Sequence, residues 1–331
     1  MNLDYLRLFL ATVVMFVHFK IIPNTHPIFN SEIAVLLFFC ISGFLITQSY
    51  INSKSLEDYF KKRVARIYPP IICVFFVLCV VGLLTHAGQP FFRGVASLLV
   101  FQDWLVTTNP SNPDTNDIYA LGTFWTLVIE FQFYLLIPFI VIGLQTKEKT
   151  TLSVLFVLYF AGHFIRRFTP ETQDALAYRL HIMCVAHFFI AGIITAFYAP
   201  KIYKNKLFFP IIAPLALAVF LFLQYRGNQY ITHLMPCAMV IIILAIAKIS
   251  SVFGKKSFFG DLSYGVYLYH MVVATIFFRL NLFERLGLKN IGLTQPISQV
   301  IVTFIFAFIS WHLVEKRFIS IAHNNLENKA S

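Results

Sequence analysis

Long, uninterrupted apolar runs divide almost the whole of this sequence, and they restrict its fold more than any other feature. A helix needs about 20 mostly apolar residues to cross a membrane. About ten such runs occur, at roughly 5–23, 32–50, 70–88, 124–144, 150–166, 180–199, 207–225, 229–248, 263–283 and 296–314. The runs do not alternate between apolar and polar residues, as a β-barrel requires. The sequence therefore predicts an all-α, polytopic membrane helix bundle.

The composition and the distribution of charge support this prediction. Of the 331 residues, 58% are hydrophobic and only 12% are charged, whereas soluble domains carry about 25% charged residues. Most of the 26 Lys and Arg residues fall on one side if the N-terminus is cytoplasmic, which predicts that both termini are cytoplasmic. The short connections indicate one membrane domain over residues 1–318 and a short cytoplasmic tail over 319–331. The sequence contains no basic stripe interleaved with exposed aromatic residues, so it does not predict a nucleic-acid partner.

The first predicted span carries two ionisable residues, Arg7 and His18. They are eleven positions apart in the sequence, and this spacing brings their side chains to the same face of a helix. An ionisable group inside lipid costs roughly 2.5 kcal/mol or more, so it generally has a partner or a function. One interpretation is a cation at the inner membrane surface with a titratable imidazole deeper on the same stripe. The other is a snorkelling arginine and a histidine bonded to a neighbouring helix.

The segment "SLEDYFKKRVARIYPP", residues 55–70, follows the second span on the predicted cytoplasmic side. We expect a short interfacial helix that Pro69 ends. Arg63 and Arg66 are three residues apart and lie on one face of that helix. Paired guanidinium groups suit the oxygens of phosphate or pyrophosphate. From the residues alone, a positive-inside cluster that touches anionic lipid headgroups is the slightly favoured explanation of the pair.

Two further spans carry residues of chemical interest. Ser42 and Gly43 lie in the second span, where small residues permit the close approach of another helix or of a ligand. Glu130 is the carboxylate of the fourth span, and we expect it to face the protein interior. His18 is predicted at a similar depth in the membrane, which makes it a candidate partner of Glu130. The alternative to a chemical role for Glu130 is an ion pair or hydrogen bond that only stabilises the fold.

The late segment "DLSYGVYLYH" places Tyr264, Tyr267 and His270 three residues apart, close to one face of a helix. An interfacial belt of tyrosines explains Tyr264, whereas packing and function explain His270 equally well. Residues 315–317, after the last span, are interpreted as a cytoplasmic cap. The five cysteines contain no CxxC pair, and no HExxH motif occurs, so no metal site is predicted.

Taken in order, five segments of the chain resemble the acyltransferase-3 family of integral membrane acyltransferases. They are "LDYLRLFLATVVMFVHF", "FFCISGFLIT", the R-x-x-R at 63–66, "FWTLVIEFQFYLLIP" and "LSYGVYLYH". The family's motif positions fall on Arg7, His18, Ser42, Gly43, Arg63, Arg66, Trp125, Glu130, Tyr267 and His270. The sequence departs from the family at Thr126, where serine is commoner.

The resemblance implies a bacterial inner-membrane enzyme that O-acetylates a surface glycan such as O-antigen lipopolysaccharide, capsule or a related lipid-linked sugar. It implies acetyl-CoA as the donor, reached from the cytoplasm, and no tightly bound cofactor. Membrane lipids are further partners, and a homo-oligomeric state is left open. We expect His18 to act as a general base or acetyl relay, with Glu130 orienting it. Arg7, Arg63 and Arg66 are expected to hold the donor's phosphates, with Ser42, Gly43, Trp125, Tyr267 and His270 in support.

A transporter is the alternative of a different class. Intramembrane His, Glu and Arg residues would also serve a proton-coupled carrier or a flippase for lipid-linked sugars, but no repeat symmetry is visible between the halves of the chain. An inactive relative that acts as a partner subunit is a third interpretation. We expect the external segment of about 89–122 to be an ordinary solvated loop that faces the acceptor.

Overall fold

The computed structural model describes residues 3–24, 31–100, 121–168, 181–226, 234–253, 261–285, 287 and 294–327. These residues form helices and no strand, which confirms the all-α prediction. Within these ranges, five helices are long and apolar enough to cross a membrane, and two shorter apolar helices accompany them. The chain is therefore a membrane protein. The count of about ten spans and the cytoplasmic position of both termini stay predictions.

The described helices are, in chain order, α1 (Asp4–His18), α2 (Ser31–Ile51), α3 (Leu56–Leu84), α4 (Gln89–Val100), α5 (Leu121–Thr146), α6 (Glu148–Phe168), α7 (His181–Ile202), α8 (Ala213–Arg226), α9 (Met235–Phe253), α10 (Ser263–Arg279), α11 (Leu282–Arg285), α12 (Thr294–Ser310) and α13 (Lys316–Glu327). A π-helical turn precedes α8 (Phe208–Ile212), and another joins α12 to α13 (Trp311–Glu315).

The helices group into two compact units. The first unit comprises Met1–Leu10, Thr25–Leu56 and Ile129–Lys256. The second comprises Ala11–Asn24, Glu57–Val128 and Ser257–Ser331. The interpretation of residues 1–318 as one membrane domain with a tail over 319–331 stays a prediction.

Glycines let the helices of the first unit meet closely. A Cβ atom on Gly43 of α2 would overlap the carbonyl oxygen of Phe189 on α7, and one on Gly192 of α7 would overlap that of Cys40 on α2. Gly162 of α6 faces the backbone of α7 in the same way. Small residues commonly allow such approaches between helices in lipid. Gly43 therefore packs against a helix, which is one of the two roles that the sequence left open for it.

In the second unit, α3 runs through Pro69 and Pro70 without ending. The prediction that Pro69 ends a short interfacial helix is therefore wrong. Proline removes a backbone donor, but a helix tolerates it where neighbouring groups pack around the affected turn. Both proline rings are buried, and the hydroxyl group of Tyr264 on α10 donates to the carbonyl oxygen of Ile67 at 3.4 Å.

An unexpected helix, α4, occupies the start of the segment that we expected to be a solvated loop. Phe91 and Val95 of α4 are buried, and the ring of Phe91 lies so close to Gly82 of α3 that a Cβ there would be 2.6 Å from it. The guanidinium group of Arg279 lies 4.7 Å from the centroid of the same ring. The loop prediction is wrong for 89–100 because this apolar face packs, and residues 101–120 lie outside the described ranges.

The end of the last long helix corrects the interpretation of Glu315 as part of an exposed cap. Glu315 is fully buried, and it closes the π-helical turn that follows α12. Its Oε1 accepts a hydrogen bond from Ser310 at 2.9 Å, and Ser310 accepts one from the Tyr269 hydroxyl group at 2.9 Å. The interpretation rested on the position of Glu315 after the last apolar run, and that position does not show that its side chain turns into the protein.

Candidate active site

His18 is the last residue of α1, and the chain turns directly after it. The backbone N–H of Ile21 donates to the carbonyl oxygen of Phe16 at 2.8 Å, and that of Lys20 donates to Val17 at 3.0 Å. Lys20 has a φ of 59°, so these bonds form a Schellman-type helix end. The helix therefore stops at His18 instead of continuing to residue 23, and the side chain of His18 is exposed.

The imidazole of His18 contacts a second, buried imidazole in the same unit. The Nδ1 atom of His18 lies 2.8 Å from the Nε2 atom of His270, and the two ring planes differ by only 9°. His270 is fully buried on α10, with its Nδ1 atom 3.2 Å from the carbonyl oxygen of Val266. The ring centroids of Phe19 and Tyr267 lie 6.1 and 5.9 Å from that of His270. The structure thus links an exposed imidazole, a buried imidazole and a backbone carbonyl group.

Tyr267 is anchored beside this pair by a hydroxyl-to-hydroxyl hydrogen bond. Its hydroxyl oxygen lies 2.9 Å from Oγ1 of Thr126 on α5. Thr126 donates its own hydrogen to the carbonyl oxygen of Thr123 at 2.9 Å, so Tyr267 is the donor. The threonine that replaces the family's commoner serine therefore keeps the hydroxyl acceptor that holds Tyr267 in place.

Arg66 is fixed by groups from two other parts of the second unit. It forms an ion pair with Asp261, and the two side chains are only 16% and 11% exposed. The rings of Tyr264 and Trp311 lie 5.6 and 5.9 Å from its guanidinium carbon. Tyr264 is buried, so its interpretation as part of an interfacial belt is wrong.

Asp261 is a residue that the sequence reasoning missed. Besides binding Arg66, it accepts a hydrogen bond from the backbone N–H of Ser263 at 3.3 Å, at the start of α10. The sequence does carry a signal for this contact, since Asp261 directly precedes the tyrosine–histidine segment. It also lies on the same predicted side of the membrane as the R-x-x-R motif. Arg63 lies one turn before Arg66 on α3 and is half-buried.

In the first unit, Glu130 of α5 accepts two hydrogen bonds. Ser42 of α2 donates to its Oε1 atom at 3.2 Å, and the hydroxyl group of Tyr134 donates to the same atom at 2.9 Å. The structure therefore brings together Ser42 and Glu130, which the sequence had singled out separately. Tyr134 was missed, although it lies one helical turn after Glu130, where a contact is expected.

The other predicted site residues are placed without a defined chemical role. Arg7 is half-buried on α1, and Trp125 is half-buried on α5. The expectations that Arg7 binds the donor and that Glu130 orients His18 stay predictions. Among the described residues, no group of three or more His, Cys, Asp and Glu side chains could hold a metal ion.

The second unit combines two chemical capabilities. The exposed imidazole of His18 can accept a proton from a hydroxyl group, and the oriented guanidinium group of Arg66 is of a type that binds oxyanions. The acyltransferase-domain family Acyl_transf_3 matches residues 2–314. The chain belongs to the acyltransferase-3 family. It is an acyltransferase, as its motifs predicted, and this membership favours the enzyme over the transporter and flippase alternatives.

Relatives of this acyltransferase-3 chain cover nearly its full length. It is 28% identical over 345 residues to nodulation protein 10 of Rhizobium leguminosarum bv. viciae, with 95% of this chain and 92% of the relative aligned. It is 26% identical over 335 residues to an O-acetyl transferase of Shigella phage Sf6, with 96% and 95% aligned. It is 24% identical to O-acetyltransferase OatA of Staphylococcus aureus, of which it spans 56%. No solved structure matches the chain.

Proposed function

We propose that this protein is a membrane O-acetyltransferase of the bacterial inner membrane. It moves an acetyl group from cytoplasmic acetyl-CoA to a hydroxyl group of a cell-surface glycan, such as O-antigen, capsule or a lipid-linked sugar. Relatives named as O-acetyltransferases support the reaction type. The observation that carries the proposal is the exposed imidazole of His18 hydrogen-bonded to His270, because transfer to a hydroxyl group requires a base that can take its proton.

In the proposed reaction, His18 takes the proton of the acceptor hydroxyl group while its oxygen attacks the carbonyl carbon of the thioester. A carbon–oxygen ester bond forms and the carbon–sulfur bond breaks. The departing sulfur of CoA then receives the proton from His18, so the enzyme returns to its starting state. An acetyl-histidine relay, in which the acetyl group rests on His18 first, uses the same residue in a different order.

Arg63 and Arg66 are the proposed binding groups for the donor's phosphates. Their i, i+3 spacing on α3 places both guanidinium groups on one helix face. The ion pair with Asp261 and the rings of Tyr264 and Trp311 hold Arg66 in one orientation. A preorganised guanidinium loses less conformational freedom when it binds a phosphate. The long pantetheine arm would then carry the thioester from the phosphates toward His18.

The first experiment compares wild type, His18→Ala and His312→Ala as full-length protein in lipid nanodiscs. Each is measured for CoA binding and for transfer of radiolabelled acetyl groups to glycolipid extracted from the host. His312 is the matched control, because its hydrogen bond is to Phe308 in the preceding helical turn, at 2.9 Å. We expect all three to bind CoA and only His18→Ala to lose transfer.

Two results would contradict the proposal. Transfer by His18→Ala at the wild-type rate would remove His18 from the chemistry. Absence of CoA binding in all three proteins would remove the donor assignment and return the transporter alternative to first place.

A further inference from the structure

We propose that His18 reacts through its Nε2 atom, and that His270 is the positioning residue that fixes this tautomer. The inference rests on the proposed function, which makes His18 the base, and it goes further by naming the reacting atom and the group that selects it. The inference follows from the order of donors and acceptors in the two hydrogen bonds that join Val266 to His270 and His270 to His18. All three residues belong to the second unit.

The backbone determines where His270 carries its hydrogen. The Nδ1 atom of His270 lies 3.2 Å from the carbonyl oxygen of Val266, and a carbonyl oxygen can only accept a hydrogen bond. Nδ1 of His270 must therefore carry the hydrogen. In a neutral imidazole, the other nitrogen then has a lone pair and no hydrogen. The Nε2 atom of His270 is thus an acceptor.

The acceptor on His270 in turn determines where His18 carries its hydrogen. Nε2 of His270 lies 2.8 Å from Nδ1 of His18, and two lone pairs at that distance would repel each other. Nδ1 of His18 therefore donates, and the nearly parallel planes, 9° apart, suit a hydrogen bond between ring nitrogens. The neutral His18 ring keeps its lone pair on Nε2, the nitrogen that is not hydrogen-bonded to His270.

This arrangement suits a base that is repeatedly protonated and deprotonated. When Nε2 of His18 takes the proton of the acceptor hydroxyl group, Nδ1 still donates to His270, so neither ring has to turn. His270 is fully buried between Phe19 and Tyr267, and this packing restricts movement of its ring. A second imidazole thus does what a carboxylate does in serine hydrolases, where it sets the tautomer and orientation of the catalytic histidine.

The kinetic test compares His270→Gln with His270→Leu. A glutamine side-chain oxygen can reach the position of Nε2 and accept from His18, whereas leucine fills similar space without an acceptor. We expect kcat to fall about 100-fold in His270→Leu, the usual scale of a lost acid–base contribution. His270→Gln should retain most of kcat, and KM for acetyl-CoA should be unchanged in both. Equal loss in both variants, or a change confined to KM, would overturn the positioning role.

Thr275→Val is the matched control for these variants. Thr275 is also buried on α10, and its hydroxyl group donates to the carbonyl oxygen of Met271 in the same helix at 2.9 Å. We expect kcat of Thr275→Val to stay close to that of wild type, because the hydrogen bond that is lost joins two residues of α10 and involves neither His18 nor His270. A loss as large as that of His270→Leu would assign the effect to packing of α10 and overturn the proposal.

A spectroscopic test reads the tautomer without any turnover. The chain contains ten histidines, and nitrogen-15 labelling of all of them gives signals that comparison with His18→Ala assigns to His18. The neutral ring should show a protonated Nδ1 and an unprotonated Nε2 in wild type. His270→Leu should shift the population toward a protonated Nε2. A protonated Nε2 in the wild-type neutral ring would overturn the inference.

A chemical rescue separates tautomer selection from other effects. His18→Nδ1-methylhistidine leaves the lone pair on Nε2 whatever residue occupies position 270. We expect this change to restore transfer in His270→Leu. By contrast, His18→Nε2-methylhistidine should abolish transfer both in the otherwise wild-type protein and in His270→Leu. The reverse result would overturn the proposal. If wild type transfers no acetyl group at all, the proposed function fails, but the nitrogen-15 measurement still decides the tautomer.

Discussion

Ser42 and Glu130 are separated by 88 positions in the sequence and joined by a hydrogen bond of 3.2 Å. The hydroxyl group of Tyr134 donates to the same carboxylate oxygen at 2.9 Å. Both donors use Oε1, so an amide oxygen at that position could accept both bonds. The local contacts of Glu130 therefore require an acceptor and do not by themselves require a charge.

We expect Glu130→Gln to keep the thermal stability of the wild type. In Glu130→Ala, the free energy of unfolding should fall by about 1–3 kcal/mol, because the hydroxyl groups of buried Tyr134 and half-buried Ser42 lose their acceptor. The measurement is the unfolding midpoint of the purified protein in detergent, with Tyr134→Phe as a control that removes one of the two bonds. Equal destabilisation by Gln and Ala would show that the charge itself holds the fold. Normal stability with lost acetyl transfer in Glu130→Gln would instead support a chemical role for the carboxylate.

Gly43→Ala should prevent correct packing of α2 against α7. The added Cβ would overlap the carbonyl oxygen of Phe189, which belongs to the backbone of a helix and cannot rotate away. Gly143→Ala is the matched control, because its added Cβ would meet the side-chain Oγ1 of Thr151 at 2.7 Å, and that side chain can move. The readout is the yield of monodisperse protein. Equal yields from the two variants would contradict the close helix contact.

The fold class was predictable because the length and polarity of an apolar run are local properties. The limits of the helices were less predictable, because they depend on contacts between distant segments. α3 passes through Pro69 and Pro70, whose rings are buried among other residues. α1 ends at His18 because Lys20 adopts a left-handed conformation, which is uncommon for a lysine and has no clear sequence signal.

Motif spacing proposed the members of the candidate site, but it did not indicate the hydrogen-bond partners that the structure gives them. Motif spacing singled out His18 and His270, but the sequence suggested Glu130 as the group that orients His18. The structure gives His18 a hydrogen bond to His270, 252 positions away, and gives Glu130 bonds to Ser42 and Tyr134. Helix spacing shows which residues share a face, but it does not show which other helix lies opposite.

The ion pair of Arg66 and Asp261 should have a larger coupling free energy than an exposed pair has. We expect a coupling free energy of about 2 kcal/mol from the double-mutant cycle of Arg66→Gln and Asp261→Asn, because both side chains are largely removed from water. Lys61 and Glu57 provide the control, since their side chains are 40% and 63% exposed and such pairs contribute about 0–1 kcal/mol. A coupling no larger than that of the control would contradict the assigned role of Asp261 in fixing Arg66.

Ser310→Ala should destabilise the protein more than Tyr269→Phe does. Ser310 accepts from Tyr269 and donates to the fully buried carboxyl group of Glu315, so alanine removes both bonds, whereas phenylalanine leaves the bond between Ser310 and Glu315 in place. Loss of the donor to a buried acceptor costs about 1–3 kcal/mol. Because the three side chains form one network, the double variant should lose less stability than the sum of the single losses. Thermal unfolding of the four proteins in detergent measures this, and additive losses would show that the two bonds act independently.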